Sequence, residues 1–260
     1  PLNDATQGTF TLTAASCHLS QTVQVALDQT LTISGTQGAV PLQEIQAPKS
    51  TGAALDELRH FVMNGNSADH TSTVLNLSYL RLSGGRIIAR EGSQDVSAGG
   101  SIKMSQAKLI AIGVLFAGCG QDDCAVYGGT IFGKDAHLEI TDSSFEYNSA
   151  KQGGAMYIYD GTGTVAMTRV HFLGNSASAS GGVMVLGKKW VVTVTSSTFE
   201  NNFAALGGAI VALGAVIDRA ARVTFTDSET RFIGNVVGPG TYCTLITYGN
   251  CRTDGTTTDH

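Results

Sequence analysis

The chain has 260 residues, 14% of them charged, with a net charge of −5; Gly numbers 32, and Ser and Thr together number 50. Scattered Lys and Arg on an acidic chain lack the basic face of a nucleic-acid binder, and no apolar run approaches the ~18 residues of a membrane span. Apolar residues make up 42% of the chain in regular patterns, which excludes disorder. With Pro1 first, and neither an initiator Met nor a signal peptide, the sequence reads as a processed or excised piece.

In chain order, Thr9–Thr13, Thr22–Val25 and Leu31–Ile33 alternate apolar and polar residues as strands do. They read as opening coils over residues 1–40. Residues 41–60 break the rhythm, and Leu55–Arg59 suggests a helical turn in a loop or cap that covers an open sheet edge. Over residues 61–114 the coils are less regular. Phe61-Val-Met-Asn64 gives a first Phe-x-x-Asn, and Leu75 to Leu82 reads as one strand ending at Gly84-Gly85.

Clear repeats occupy residues 115–245. Phe145-Glu-Tyr-Asn148, Phe172-Leu-Gly-Asn175 and Phe199-Glu-Asn-Asn202 recur at a spacing of 27, and Phe232-Ile-Gly-Asn235 follows after 33. The first three are each followed, 8 or 9 residues after the Phe, by Gly-Gly and an apolar run starting at Gly153, Gly181 and Gly207. Seven and five residues before each Phe stand Leu138 and Ile140, Val165 and Met167, Val192 and Val194, on one face of a strand. One repeat is therefore about three short strands joined at Gly, Ser and Asn turns. A unit that small cannot bury its apolar face alone, so units must stack at the ~4.8 Å strand spacing. Stacking places Phe on Phe, and Asn on Asn in a hydrogen-bonded ladder. The expected fold is all-β: a single right-handed parallel β-helix of eight to ten coils, one domain over 1–260 with a cap or tail at 246–260.

Phe-x-x-Asn followed by Gly-Gly-Ala-(Ile/Leu/Val) resembles the repeats of chlamydial polymorphic outer-membrane proteins and related bacterial and protist surface proteins. They are part of the pectin-lyase-like superfamily of right-handed β-helices. The resemblance implies a secreted or cell-surface, non-enzymatic structural or adhesive module. Its expected partners are a carbohydrate or protein surface or copies of itself, and it implies no cofactor.

Cys119 takes the Asn place three residues after Phe116, and that coil holds four extra residues before Gly128-Gly129. They coincide with Cys119-Gly-Gln-Asp-Asp-Cys124, an inserted turn closed by its own disulfide; Cys243 and Cys251 form a second local pair that pins the last coil. Two bridges would mean an oxidising, extracellular compartment. Cys17 is left over.

Gln121-Asp122-Asp123-Cys124 resembles a segment of polygalacturonases, so Asp122 and Asp123 are the acids an enzymatic alternative would use to cleave polysaccharide. The partner motifs of those enzymes are missing from the neighbouring coils. Asp142, Glu146 and Glu200 fall at repeating positions, as acids of a Ca²⁺-dependent lyase would. Arg169 and Ser196 share Asp142's place one and two coils on, so no acidic ladder forms. The six histidines show no metal spacing, and His171 aligns with Ser144, Thr198 and Arg231 as an outward site. Thr141, Thr168 and Thr195 form one column, which β propensity explains more simply than an ice-binding face does. Asn76-Leu-Ser78 is the sole N-glycosylation acceptor.

Overall fold

In a computed structural model, described for residues 7–48, 57–66, 72–87, 98–119, 124–159, 161–213, 221–238, 245–247 and 250–252, the chain winds as a parallel β-solenoid of eight coils. Three long sheets run its length. Sheet A goes from Gly8–Thr11 to Arg222–Phe225, sheet B from Ser16–His18 to Arg231–Ile233, and sheet C from Val23–Val25 to Leu245–Thr247. Sheet C ends on Asn250–Arg252, which pairs antiparallel with Leu245–Thr247. From the fourth coil on, a short sheet D, from Ala125–Tyr127 to Val236–Val237, adds a fourth side between B and C. The repeat thus has four strands where its sequence suggests three. Sheet D is short, and its register shifts at a bulge in each of the central coils, which blurs its period-two pattern.

The alternating residues of sheet A point as their spacing predicts. Leu109, Leu138, Val165, Val192 and Val223 share one column, and Ala111, Ile140, Met167, Val194 and Phe225 share another. Sheet B carries the phenylalanines. Phe116, Phe145, Phe172, Phe199 and Phe232 stack with ring centroids 4.4, 5.1, 4.8 and 4.7 Å apart and planes within 16° of parallel. The strand spacing of a parallel sheet imposes that distance, so each ring gains dispersion from two neighbours without adjusting its backbone. Cys17, Ile45 and Leu82 fill the same column in the first three coils.

After each of the last four phenylalanine strands comes a left-handed residue, then the Asn. Asn148, Asn175, Asn202 and Asn235 are buried. In each of the first three, the backbone N–H and Nδ2 both donate to Oδ1 of the next Asn. Nδ2 also donates to the carbonyl of the Phe one coil back, for all four. The corner that follows needs both glycines. Gly153 has φ +65°, and a Cβ on Gly154 would stand 2.2 Å from the Gly182 carbonyl oxygen of the next coil. Folding the corner inward buries the outer side of sheet C as well. Phe132, Tyr157, Val185 and Val211 form a second apolar cluster there with Ala98, which is why the runs after Gly-Gly are apolar at every position.

Three expectations change. Phe61–Asn64 lies in sheet C, paired with Val23–Val25 and Ile102–Ser105, and outside the phenylalanine column. Its place follows from chain order: the sheet A strand Val74–Ser78 comes next, as Lys108–Ile112 follows Ile102–Ser105. Leu75 to Leu82 is two strands, Val74–Ser78 and Leu80–Ser83, with Tyr79 between them at φ +54°. Leu77 and Leu80 break the period-two parity, so both can face the core only if the chain turns a corner between them. Of the expected helical turn, Glu57–Leu58 is a strand antiparallel to Arg86–Ile87, and residues 55 and 56 lie outside the described ones.

Candidate functional site

Corners between sheets A and B are made by single left-handed residues, Tyr79, Gly113, Asp142, Arg169 and Ser196, one per coil. Two buried hydroxyls hold these corners. Ser143 Oγ donates to the Thr141 carbonyl and accepts the Val114 N–H; Ser197 Oγ does the same with Thr195 and Val170. Backbone groups that the corner would orphan are thereby paired. Outside the corner, Arg169 grips Asp142 with both ends of its fork, Nη2 to Oδ2 at 2.9 Å. The hydrogen bonds from Arg169 hold the Asp142 carboxyl below the usual carboxylate range. His171 Nε2–H donates to Glu200 Oε2 at 3.1 Å, and Ser144 Oγ donates to Glu146 Oε1. Each of the three acids with repeating positions is thus paired with a neighbour. An open groove of about 350 Å³ lies over this corner, lined by Leu42, Gly113–Leu115, Asp142–Ser144, Arg169 and His171.

The Tyr79 ring covers the next residue of this corner column. A Cβ on Gly113 would meet it at 2.8 Å, and the exposed Tyr147 ring covers Gly174 in the same manner at the far edge of sheet B, at 2.7 Å. The glycines seat the rings. The sequence marks one of these pairs, since Gly174 stands 27 residues after Tyr147, and gives no sign of the other. Nothing in the sequence signals that Leu42 reaches the groove.

Cys119 and Cys124 are joined as a disulfide, Cα atoms 5.6 Å apart. Cys124 is buried, and its Sγ accepts the Cys119 N–H at 3.2 Å, the N–H that in later coils belongs to the Asn ladder. The bridge stands where the ladder begins. Reduction should cost about 2 kcal/mol, the loop-closure value for so short a ring. The check is urea unfolding with and without dithiothreitol, and equal midpoints would contradict it.

Asp122 and Asp123 lie outside the described residues, as do Cys243 and the side chain of Cys251. Cys17 is free and partly exposed at the head of the phenylalanine column. Asn76 sits on the outer side of sheet A between two core-facing leucines, its Nδ2 donating to Thr32 Oγ1 at 3.0 Å. Among the described residues, no three His, Cys, Asp or Glu side chains gather as a metal ion would require, and no helix is long and apolar enough to cross a membrane.

No curated protein and no solved structure gives a significant match to the chain. Residues 196–213 match the Chlamydia polymorphic membrane protein repeat; that stretch holds Phe199, Asn202 and the Gly207-Gly208 corner, the residues that stack one coil on the next.

Proposed function

We propose that this chain is an extracytoplasmic surface module, a rigid rod whose outer sheet faces and corner groove present adhesive contacts. The observation that carries the reading is the division of labour between inside and outside. The repeated Phe, Asn and Gly-Gly positions are spent on stacking, which fixes a rod of roughly 40 Å at ~4.8 Å per coil. The outward positions vary freely: Ser144, His171, Thr198 and Arg231 share one column of sheet B. A scaffold with constant inside and variable outside suits presentation of contacts. The disulfide and the matched membrane-protein repeat support an oxidising, surface location. Antibodies raised against the folded chain should label intact, unpermeabilised cells of the source organism. Labelling seen only after permeabilisation would overturn the proposal.

A further inference from the structure

We infer that the groove at the corner of sheets A and B is a binding site for a neutral saccharide, with Asp142, Ser144, Arg169 and His171 reading its hydroxyls and Leu42 and Leu115 packing on a C–H face. The inference rests on the reading of the chain as a presenting scaffold and names the partner class for one place on it.

The groove lies where the corner column changes from the Tyr79 ring, seated over Gly113, to the charged side chains of the next coils. Along the column, Tyr79 lies against Gly113, and the next side chains, Asp142 and Arg169, stand one and two coils beyond. Leu42, just before the sheet B strand Gln43–Gln46, walls the opposite side. The volume of about 350 Å³ lies within the range of small-ligand sites. One wall is apolar, through Leu42 and Leu115; the other is polar and planar, through carboxylate, guanidinium and imidazole. A pyranose ring has the same division, with axial C–H groups on one side and equatorial hydroxyls around its rim.

Charge decides between neutral and anionic ligands. Asp142 and Arg169 neutralise one another, and His171 is turned toward Glu200. An anion would have to take Arg169 from its bidentate partner, whereas a hydroxyl can add to what is there. Arg169 uses two of its five N–H donors on Asp142, and the carboxylate retains lone pairs beyond the two it gives Arg169. The ion pair also fixes both planes before any ligand arrives, which lowers the ordering cost of binding.

The test is a titration of the ¹⁵N-labelled chain, followed by amide chemical shifts, with maltose, cellobiose, lactose and, separately, digalacturonate. At least one neutral disaccharide should shift the amides of Gly113–Leu115, Asp142–Ser144 and Arg169–His171 saturably. Digalacturonate should bind at least tenfold more weakly. Ser144→Val, on an outward strand position that tolerates a β-branched residue, should weaken the neutral sugar about fivefold to tenfold, the effect of one lost hydrogen bond; Arg169→Met should do the same. The proposal fails if no neutral disaccharide moves these amides, if digalacturonate binds more tightly, or if both variants bind unchanged. Any of those results leaves the surface-labelling experiment unaffected, so the two readings fail separately.

Discussion

Asn175→Ala is expected to destabilise the solenoid by about 4 kcal/mol, although it removes only a small side chain from a turn. Asn175 Oδ1 accepts the N–H and Nδ2 of Asn148 at 3.1 and 2.9 Å, and its own Nδ2 donates to the Phe145 carbonyl and to Asn202 Oδ1. The residue is fully buried, so water cannot replace these partners. Alanine leaves the Asn148 N–H without its acceptor and the Phe145 carbonyl without this donor, at about 1–3 kcal/mol for each buried group. Asn148 Nδ2 keeps the Phe116 carbonyl, which bounds the loss. Each coil contacts only its neighbours, so the damage should be local first. Amide exchange should accelerate in the coils of Asn148, Asn175 and Asn202 before the global urea midpoint accounts for it. Ser178→Ala, on an exposed position of the same coil, serves as the control and should stay within about 0.5 kcal/mol. A loss below about 1 kcal/mol for Asn175→Ala would mean that the ladder is a consequence of stacking and not one of its causes.

That ladder was legible in the sequence because a period and a side-chain chemistry coincide on it. The 27-residue repeat fixes which residues stack, and the chemistry of Phe, Asn and Gly-Gly fixes what each stack does. The register agrees position by position: Phe145, Phe172 and Phe199 pair directly, as do Ser144, His171 and Thr198. The column of Thr141, Thr168 and Thr195 also holds, and the Thr195 hydroxyl meets that of Thr226. Where the repeat frays, in the first three coils, the same reasoning fails. Phe61–Asn64 matches the motif by letters alone, and without a Gly-Gly corner behind it nothing ties it to the phenylalanine column. Tyr79 was hidden because a left-handed tyrosine carries no compositional mark. The changed parity of Leu77 and Leu80 is the signal that would have found the corner.

The candidate site was less legible, and for a physical reason. Stacking is a relation between residues 27 apart, whereas a groove depends on which side chains stand at its rim and which part of the chain reaches over. Asp142 and Arg169 stand at equivalent positions, so their pairing follows from the register once the repeat is known. The ring seated over Gly113 and the wall at Leu42 need the corner geometry and the path of the chain before Gln43, neither of which the repeat encodes.

Lowering the pH from 6.5 to 4 should cost the protein about 3 kcal/mol through His60 alone, the linkage value for a shift of this size. His60 is fully buried at the entry to the second strand of sheet C. Its Nε2–H donates to the Ile45 carbonyl at 3.1 Å, and Nδ1 has no hydrogen-bond partner. Burial disfavours the imidazolium and pushes the pKa down to about 4; the Ile45 and Ser83 carbonyls and the Glu44 carboxylate pull the other way without prevailing. In the unfolded chain the ring takes a proton near 6.5. The folded pKa is the lower one, so the unfolded state binds more protons in this window. The stabilisation is complete above pH 6.5, falls steadily between 6.5 and 4, and is gone below. Glu44, Asp142 and Asp227 also have lowered pKa values, but their ordinary values are 4.5 or less, so they act at the acid end. The interval from 6.5 to 4.5 therefore isolates the histidine. His60→Phe should be less stable at pH 7, having lost the Ile45 hydrogen bond, yet nearly flat across that interval. Because the His60 backbone accepts from Val23 and donates to Ser101, protonation should release the first coils before the repeats that follow. Urea midpoints from pH 7 to 4.5 decide the matter: parallel curves for the two proteins would remove His60 as the cause.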